Sequence, residues 1–182
     1  LNHDLSILPK PDLLVKNIDQ ESNIQHICFI NQLLKTFEVK STFTIKTEDF
    51  NALNFVFFPF ETAKIPFKYP TKLGNYAGFI LENQIHDAVV KEYGIEMAEK
   101  TKYDTVDFLM ELTTHIHHNF RYISRERGDA LNGIETLKSQ SGSCRDFAVF
   151  MMEVCASVGL LARFVSGYLY GSELHQHELH AW

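Results

Sequence analysis

Residues 139–168 read SQSGSCRDFAVFMMEVCASVGLLARFVSGY, a cysteine with small polar residues before it and a long apolar run after it. The run has helical spacing. Counting from Cys144, Ala148, Met151, Cys155 and Val158 recur at helical intervals and share one stripe. Phe147, Phe150, Met152 and Val154 make the other faces nearly apolar, so the spacing predicts a central, buried helix over 144–158, closed by Gly159. Cys144 stands at its first turn. A helix N-terminus carries partial positive charge and unpaired N–H groups, which suit a thiolate nucleophile and a developing oxyanion. The preceding SQSGS suits a tight turn that brings backbone close to a substrate. Cys155, about 16 Å further along at 1.5 Å per residue, has no such setting and reads as core. Cys28, in a strand-like run, reads as core too.

A cysteine nucleophile needs a base. The candidates are His115, His117 and His118 upstream, and His175, His177 and His180 downstream. His180 fits best: LARFVSGYLY (161–170) reads as a strand, GSELHQHE (171–178) as a turn, and ELHAW (178–182) as a returning strand that fixes the face of His180. Asp146 is turned about 200° from Cys144 on the helix, at about 100° per residue. It reads as a first-turn charge favouring the helix dipole rather than as a partner for the base. Arg145 reads as pairing with a neighbour or capping a loop. Tyr122 reads as a packed aromatic whose hydroxyl tip could serve as an oxyanion donor; Gln140, ahead of Cys144, offers an amide donor, against the plainer role of a solvated loop residue.

GSCRDFA (142–148), GLLARFVSGYL (159–169), HAW (180–182) and the upstream FRYIS (120–124) together resemble the transglutaminase-like superfamily, specifically its bacterial cysteine protease type. The resemblance is close over 104–182 and weaker over 1–60. It implies an α+β, papain-like core with a central nucleophile helix packed on an antiparallel sheet, preceded by a β-rich N-terminal domain. It implies a Cys-His-Asp triad with Cys144 as nucleophile and His180 as base. The third member, an Asp on the strand after the histidine, is expected beyond Trp182, where this sequence stops; the chain accordingly reads as a fragment. The implied function is hydrolysis or acyl transfer at amide bonds, with proteolysis favoured over protein cross-linking and a peptide or amide as substrate. The alternative is a non-catalytic peptide-binding module that retains the fold.

The rest of the chain bounds this reading. With 182 residues, 45% of them hydrophobic and 22% charged, it has an ordinary globular composition and enough length for a real core. A net charge of −6 and the lack of a basic block argue against nucleic acid. No apolar run reaches membrane-spanning length and no leader pattern stands at Leu1, so no membrane association and a cytoplasmic location are expected. Three cysteines without a CxxC argue against a disulfide framework. His115 with His118, and the closely spaced His175, His177 and His180, could contribute to a zinc site, but no cysteine or second histidine pair completes an obvious spacing, so no metal or other cofactor is expected.

The N-terminal part is strand-like. FEVKSTFTIKT (37–47) alternates apolar and polar residues, predicting a half-buried strand with DLLVKNI (12–18) and NIQHICFI (23–30) as partners. LNFVFFPFETAKIPFKYP (53–70), with three prolines, reads as an edge segment or connector. Helical spacing then runs through Leu81, Ile85, Ala88, Val89 and Glu92, with Gly94 as its stop. A second helix follows Asp104 and a short one lies in NGIETLKS (132–139). The predicted division is a β-rich domain over 1–70 and a catalytic-type domain over 71–182.

Overall fold

The computed structural model describes the chain except residues 1, 20–21, 47, 49–50, 52–53, 85–86, 126 and 170–178. The predicted turn over 171–178, with His175 and His177, therefore lies outside the described residues, as does Ile85 of the predicted helix. Two compact units are present, Leu1–Asn54 and Phe55–Trp182.

The first unit holds four strands: β1 (Asn2–Leu8), β2 (Leu13–Ile18), β3 (Ile24–Phe29) and β4 (Glu38–Thr44). They form two antiparallel ribbons. β1 pairs with β4 from Asn2↔Thr44 to Leu8↔Glu38, and β2 pairs with β3 from Leu13↔Phe29 to Ile18↔Ile24. The alternating stretch thus takes its partner from 2–8, while the two segments expected beside it pair with each other. Alternation assigns faces to a strand but does not name its neighbour. The strand is also exposed rather than half-buried; Val39 and Phe43 keep about half of their surface. A two-stranded ribbon has no third layer of its own to cover either face. Cys28, on β3, is half-exposed and not a core residue.

The second unit is built on helices: α1 (Thr71–Gln84), α2 (Ala88–Lys100), α3 (Thr105–Asn119), α4 (Gly133–Ser139) and α5 (Cys144–Ser157). Local chemistry sets their ends. Asp87 caps α2 by accepting from the Val89 N–H, and Asp104 caps α3 by accepting from Val106 and Asp107. Asn132 and Glu135 exchange hydrogen bonds in a capping box at the start of α4. Gly159, at φ +80°, follows α5 in the left-handed region that glycine tolerates.

Gly94 does not stop a helix. It lies buried inside α2, where a Cβ would stand 2.0 Å from Ser157 Oγ and 3.1 Å from the Val154 carbonyl oxygen of α5. Its missing side chain is what lets the two helices approach, a tertiary demand that outweighs glycine's poor helix propensity. α5 is the hub and touches α1, α2 and α4. Phe150 and Val154 of α5, Phe108 and Leu112 of α3 and Val90 of α2 are fully buried in one core; the Phe120 and Phe150 rings stack with centroids 5.4 Å apart.

The proline-rich segment packs within this second unit. It makes one short 3₁₀ turn at Phe60–Ala63, buries Ile65, and pairs Lys64 with Asp104. The Tyr69 hydroxyl donates to the Gly159 carbonyl and accepts from the Leu161 N–H, which fixes the chain as it leaves α5. Beyond it, β7 (Ser166–Tyr168) and β8 (Leu179–Ala181) form an antiparallel pair beside α5, extended by mutual hydrogen bonds between Val165 and Trp182. The strand expected over 161–170 is thus confined to the three residues that face β8. A short parallel pair, β5 (Arg121–Tyr122) with β6 (Ser141–Gly142), lies just before α5. Among the described residues no helix is long and apolar enough to cross a membrane.

Candidate active site

The sequence places Cys144 at the first residue of α5 because Ser143 is its N-cap, extended at ψ 175°. The turn before it is tight for a stated reason. Gly142 lies against Asp146, and a Cβ there would stand 2.8 Å from the Asp146 Cβ. Gln140, in the left-handed region at φ 44°, ends α4 and turns the chain into β6. β6 then pairs with β5, through Arg121 N–H to the Gln140 carbonyl and Ile123 N–H to the Gly142 carbonyl, both 2.8 Å. That pairing holds Tyr122 opposite Gly142, two residues from the cysteine. On the other side, β7 and β8 pair Gly167 with His180, and the Trp182 ring lies against Gly167.

Cys144, His180 and Tyr122 line one cleft of about 500 Å³, together with Ser143, Arg145 and Phe164 among others. Cys144 is half-exposed within it and carries a free thiol. Tyr122 leaves about half of its surface exposed and packs its ring 6.4 Å from that of Phe147. The remaining candidates are elsewhere. Gln140 is exposed at the end of α4 and is not part of the cleft wall. His115 packs edge-on against Tyr93 and Phe120, and His117 lies against His118; none of the three reaches the cleft. Cys155 is buried in the core, and burial pushes its thiol up to about 12, which keeps it protonated and inert at neutral pH.

The structure gives Asp146 a larger part than a first-turn charge. Its carboxylate is fully buried and accepts four hydrogen bonds. Oδ1 takes the Leu131 N–H at 2.8 Å and Arg125 Nη2 at 2.6 Å; Oδ2 takes the Ser143 N–H at 2.6 Å and the Ser143 hydroxyl at 2.8 Å. Burial alone would raise its pKa. The Leu131 and Ser143 donors and the Arg125 charge more than offset that, and the carboxyl sits below its ordinary value. One buried anion thus ties Ser143, the residue before Cys144, to Arg125 and Leu131. Arg145 extends the tie, donating through Nη2 to the carbonyls of Arg125 and Arg127 at 2.7 and 3.1 Å. The Ser143-x-x-Asp146 spacing of a capping box was visible in the sequence; the salt bridge to Arg125, across 21 residues, had no local signal.

Buried Glu153 makes a second such tie, accepting from the Gly133 N–H at 2.9 Å. A carboxylate there complements the N-terminus of α4. The pair has no room to spare, since a Cβ on Gly133 would stand 2.5 Å from Glu153 Oε2. This fixes α4, and with it the start of the turn that leads to Cys144, to the middle of α5.

These parts form a solvent-accessible thiol at a helix N-terminus, an imidazole across the same cleft, and a hydroxyl-bearing ring on the neighbouring strand. The profile of the transglutaminase-like superfamily matches residues 91–182, half of the chain. No curated protein matches the chain significantly. Among solved structures, a "Putative Cysteine Protease" from Cytophaga hutchinsonii is similar, with a TM-score of 0.62 and 17% sequence identity. The match covers all of this chain and 60% of that one, so the chain spans less than two thirds of its structural relative.

Proposed function

The chain belongs to the transglutaminase-like superfamily, and from that premise we propose that it cleaves amide bonds with Cys144 as nucleophile and His180 as base. The observation that carries the proposal is that the two residues, 36 positions apart in the sequence and on different elements, line one open cleft. The finer arrangement belongs to the same reading: a nucleophile helix carried on an antiparallel sheet, behind a β-rich N-terminal domain. It is supported by β7 and β8 beside α5 and by the four strands within Leu1–Asn54.

In the proposed reaction His180 takes the Cys144 thiol proton as sulfur attacks the carbonyl carbon. The Cys144 N–H and the Tyr122 hydroxyl steady the tetrahedral oxyanion. The C–N bond then breaks, the amine leaves with the proton from His180, and a thioester remains on Cys144. Water, deprotonated by His180, attacks the thioester and releases the carboxylic acid and the thiol. An amine in place of water would make the reaction a transfer; hydrolysis is the outcome proposed here. A positioned base contributes about 10²–10⁴ in rate and one oxyanion donor about 10²–10³.

The test is hydrolysis of unstructured peptides, followed by mass spectrometry. Cleavage by the wild type, abolished in Cys144→Ala and reduced by about 10²–10⁴ in His180→Ala, is the expected result. Cleavage that persists in Cys144→Ala sinks the mechanism. Binding of the same peptides without cleavage by any variant would replace it with a non-catalytic peptide-binding module.

A further inference from the structure

Two guanidinium groups that the proposed acyl transfer does not use, Arg125 and Arg145, line the cleft. Arg145 follows Cys144 in α5 and lines the same wall. Its Nη2 is held by two backbone carbonyls of the 125–127 loop. Carbonyls fix the position of a guanidinium without cancelling its charge. The neighbouring Arg125 differs, because Asp146 pairs with it at 2.6 Å. Among the described residues Arg145 forms no ion pair, its Nε is shielded from solvent without a hydrogen-bond partner, and no Asp or Glu lines the cleft. A chain of net charge −6 thus presents a fixed cation beside its nucleophile. Tyr122, Phe164 and Leu179 add apolar surface to the same wall, which lowers the local dielectric and strengthens that field.

We propose that Arg145 makes the cleft selective for acyl donors that carry a carboxylate close to the scissile amide. This specificity rests on the cysteine-nucleophile reading above. A guanidinium is the side chain best matched to a carboxylate, and one already anchored by its own loop loses little freedom on binding. The carboxylate is either an acidic side chain or a free chain terminus.

Two alkylating agents, anionic iodoacetate and neutral iodoacetamide, test the charge without requiring catalysis. The iodoacetate-to-iodoacetamide rate ratio at Cys144 is expected to exceed that at Cys28 of the same chain by about tenfold, within the range of electrostatic focusing in clefts. It should collapse in Arg145→Gln and recover in Arg145→Lys. Should Arg145→Gln not fold, the wild-type ratio must still fall toward that of Cys28 as salt is raised, because ions screen the field. A Cys144 ratio equal to that of Cys28, or one unchanged in folded Arg145→Gln or by salt, overturns the proposal.

Peptide pairs then locate the carboxylate. One pair compares Glu with Gln in peptides with amidated ends, and the other compares free with amidated termini in neutral peptides. An Arg145-dependent difference of about tenfold in kcat/KM within one pair identifies the source; none in either pair overturns the proposal. If no peptide is cleaved at all, the acyl-transfer reading fails, while the alkylation ratio still reports on Arg145.

Discussion

Replacing Asp146 with Asn removes a charge, leaves the side-chain volume almost unchanged, and exposes how the turn before Cys144 is held. The carboxylate serves four donors, two on each oxygen, with no surface exposed to water. An amide offers one accepting oxygen, so its NH₂ must face two of those donors, and Arg125 loses its counter-charge. Breaking a buried ion pair from one side costs about 3–5 kcal/mol. The Arg125 side chain keeps 29% of its surface, so water returns part of that loss, and the lower end, about 3 kcal/mol, is the expected cost.

Denaturant unfolding at neutral pH measures it, with wild type and variant compared at equal m. The pH dependence has a definite sign. The folded pKa of Asp146 is depressed, so its contribution is complete above the ordinary carboxylate value of about 4 and disappears as pH falls through the lowered one. The gap between wild type and Asp146→Asn should therefore be flat above about pH 5 and close in more acidic solution. An Asn variant within about 0.5 kcal/mol of wild type at neutral pH, the ordinary range for an inconsequential surface substitution, would refute this account of the network.

Other elements make their own predictions. Gly94→Val should destabilise the protein by about 1–3 kcal/mol, because its side chain must enter the contact with Val154 and Ser157; a stabilised variant in the same unfolding assay would contradict that contact. Phe150→Ala should cost about 3–5 kcal/mol, as expected for a fully buried aromatic stacked on Phe120, and a loss below about 1 kcal/mol would place it outside the core. Cys155, its thiol pushed up to about 12, should stay unlabelled by iodoacetamide at neutral pH until denaturant is added; labelling in the folded protein would contradict its burial.

What the sequence disclosed follows the range of each interaction. Asp104, the 132–139 helix and the start of α5 at Cys144 were legible because caps and helical stripes are local patterns. Gly94 was misread because a glycine looks the same as a helix end and as a helix crossing; only α5, some sixty residues later, separates the two. The pairing of β4 with β1 was hidden for a related reason, since any of the alternating segments could supply a neighbour. At the site, Cys144 and His180 stood out through residue type and order. The Arg125–Asp146 salt bridge did not, because it joins residues 21 positions apart and depends on tertiary placement of Arg125 and Leu131 against the helix start.

The central claim is that Cys144 is set apart from the other thiols of the chain for nucleophilic attack, and the chain carries its own control. Cys28 and Cys144 are both half-exposed, and Cys155 is buried. Iodoacetamide labelling of the folded wild type at neutral pH, resolved by residue, compares all three in one tube. The account predicts that Cys144 is alkylated well ahead of Cys28, and that His180→Ala slows it. Cys144 reacting no faster than Cys28, with no response to His180→Ala, would contradict it.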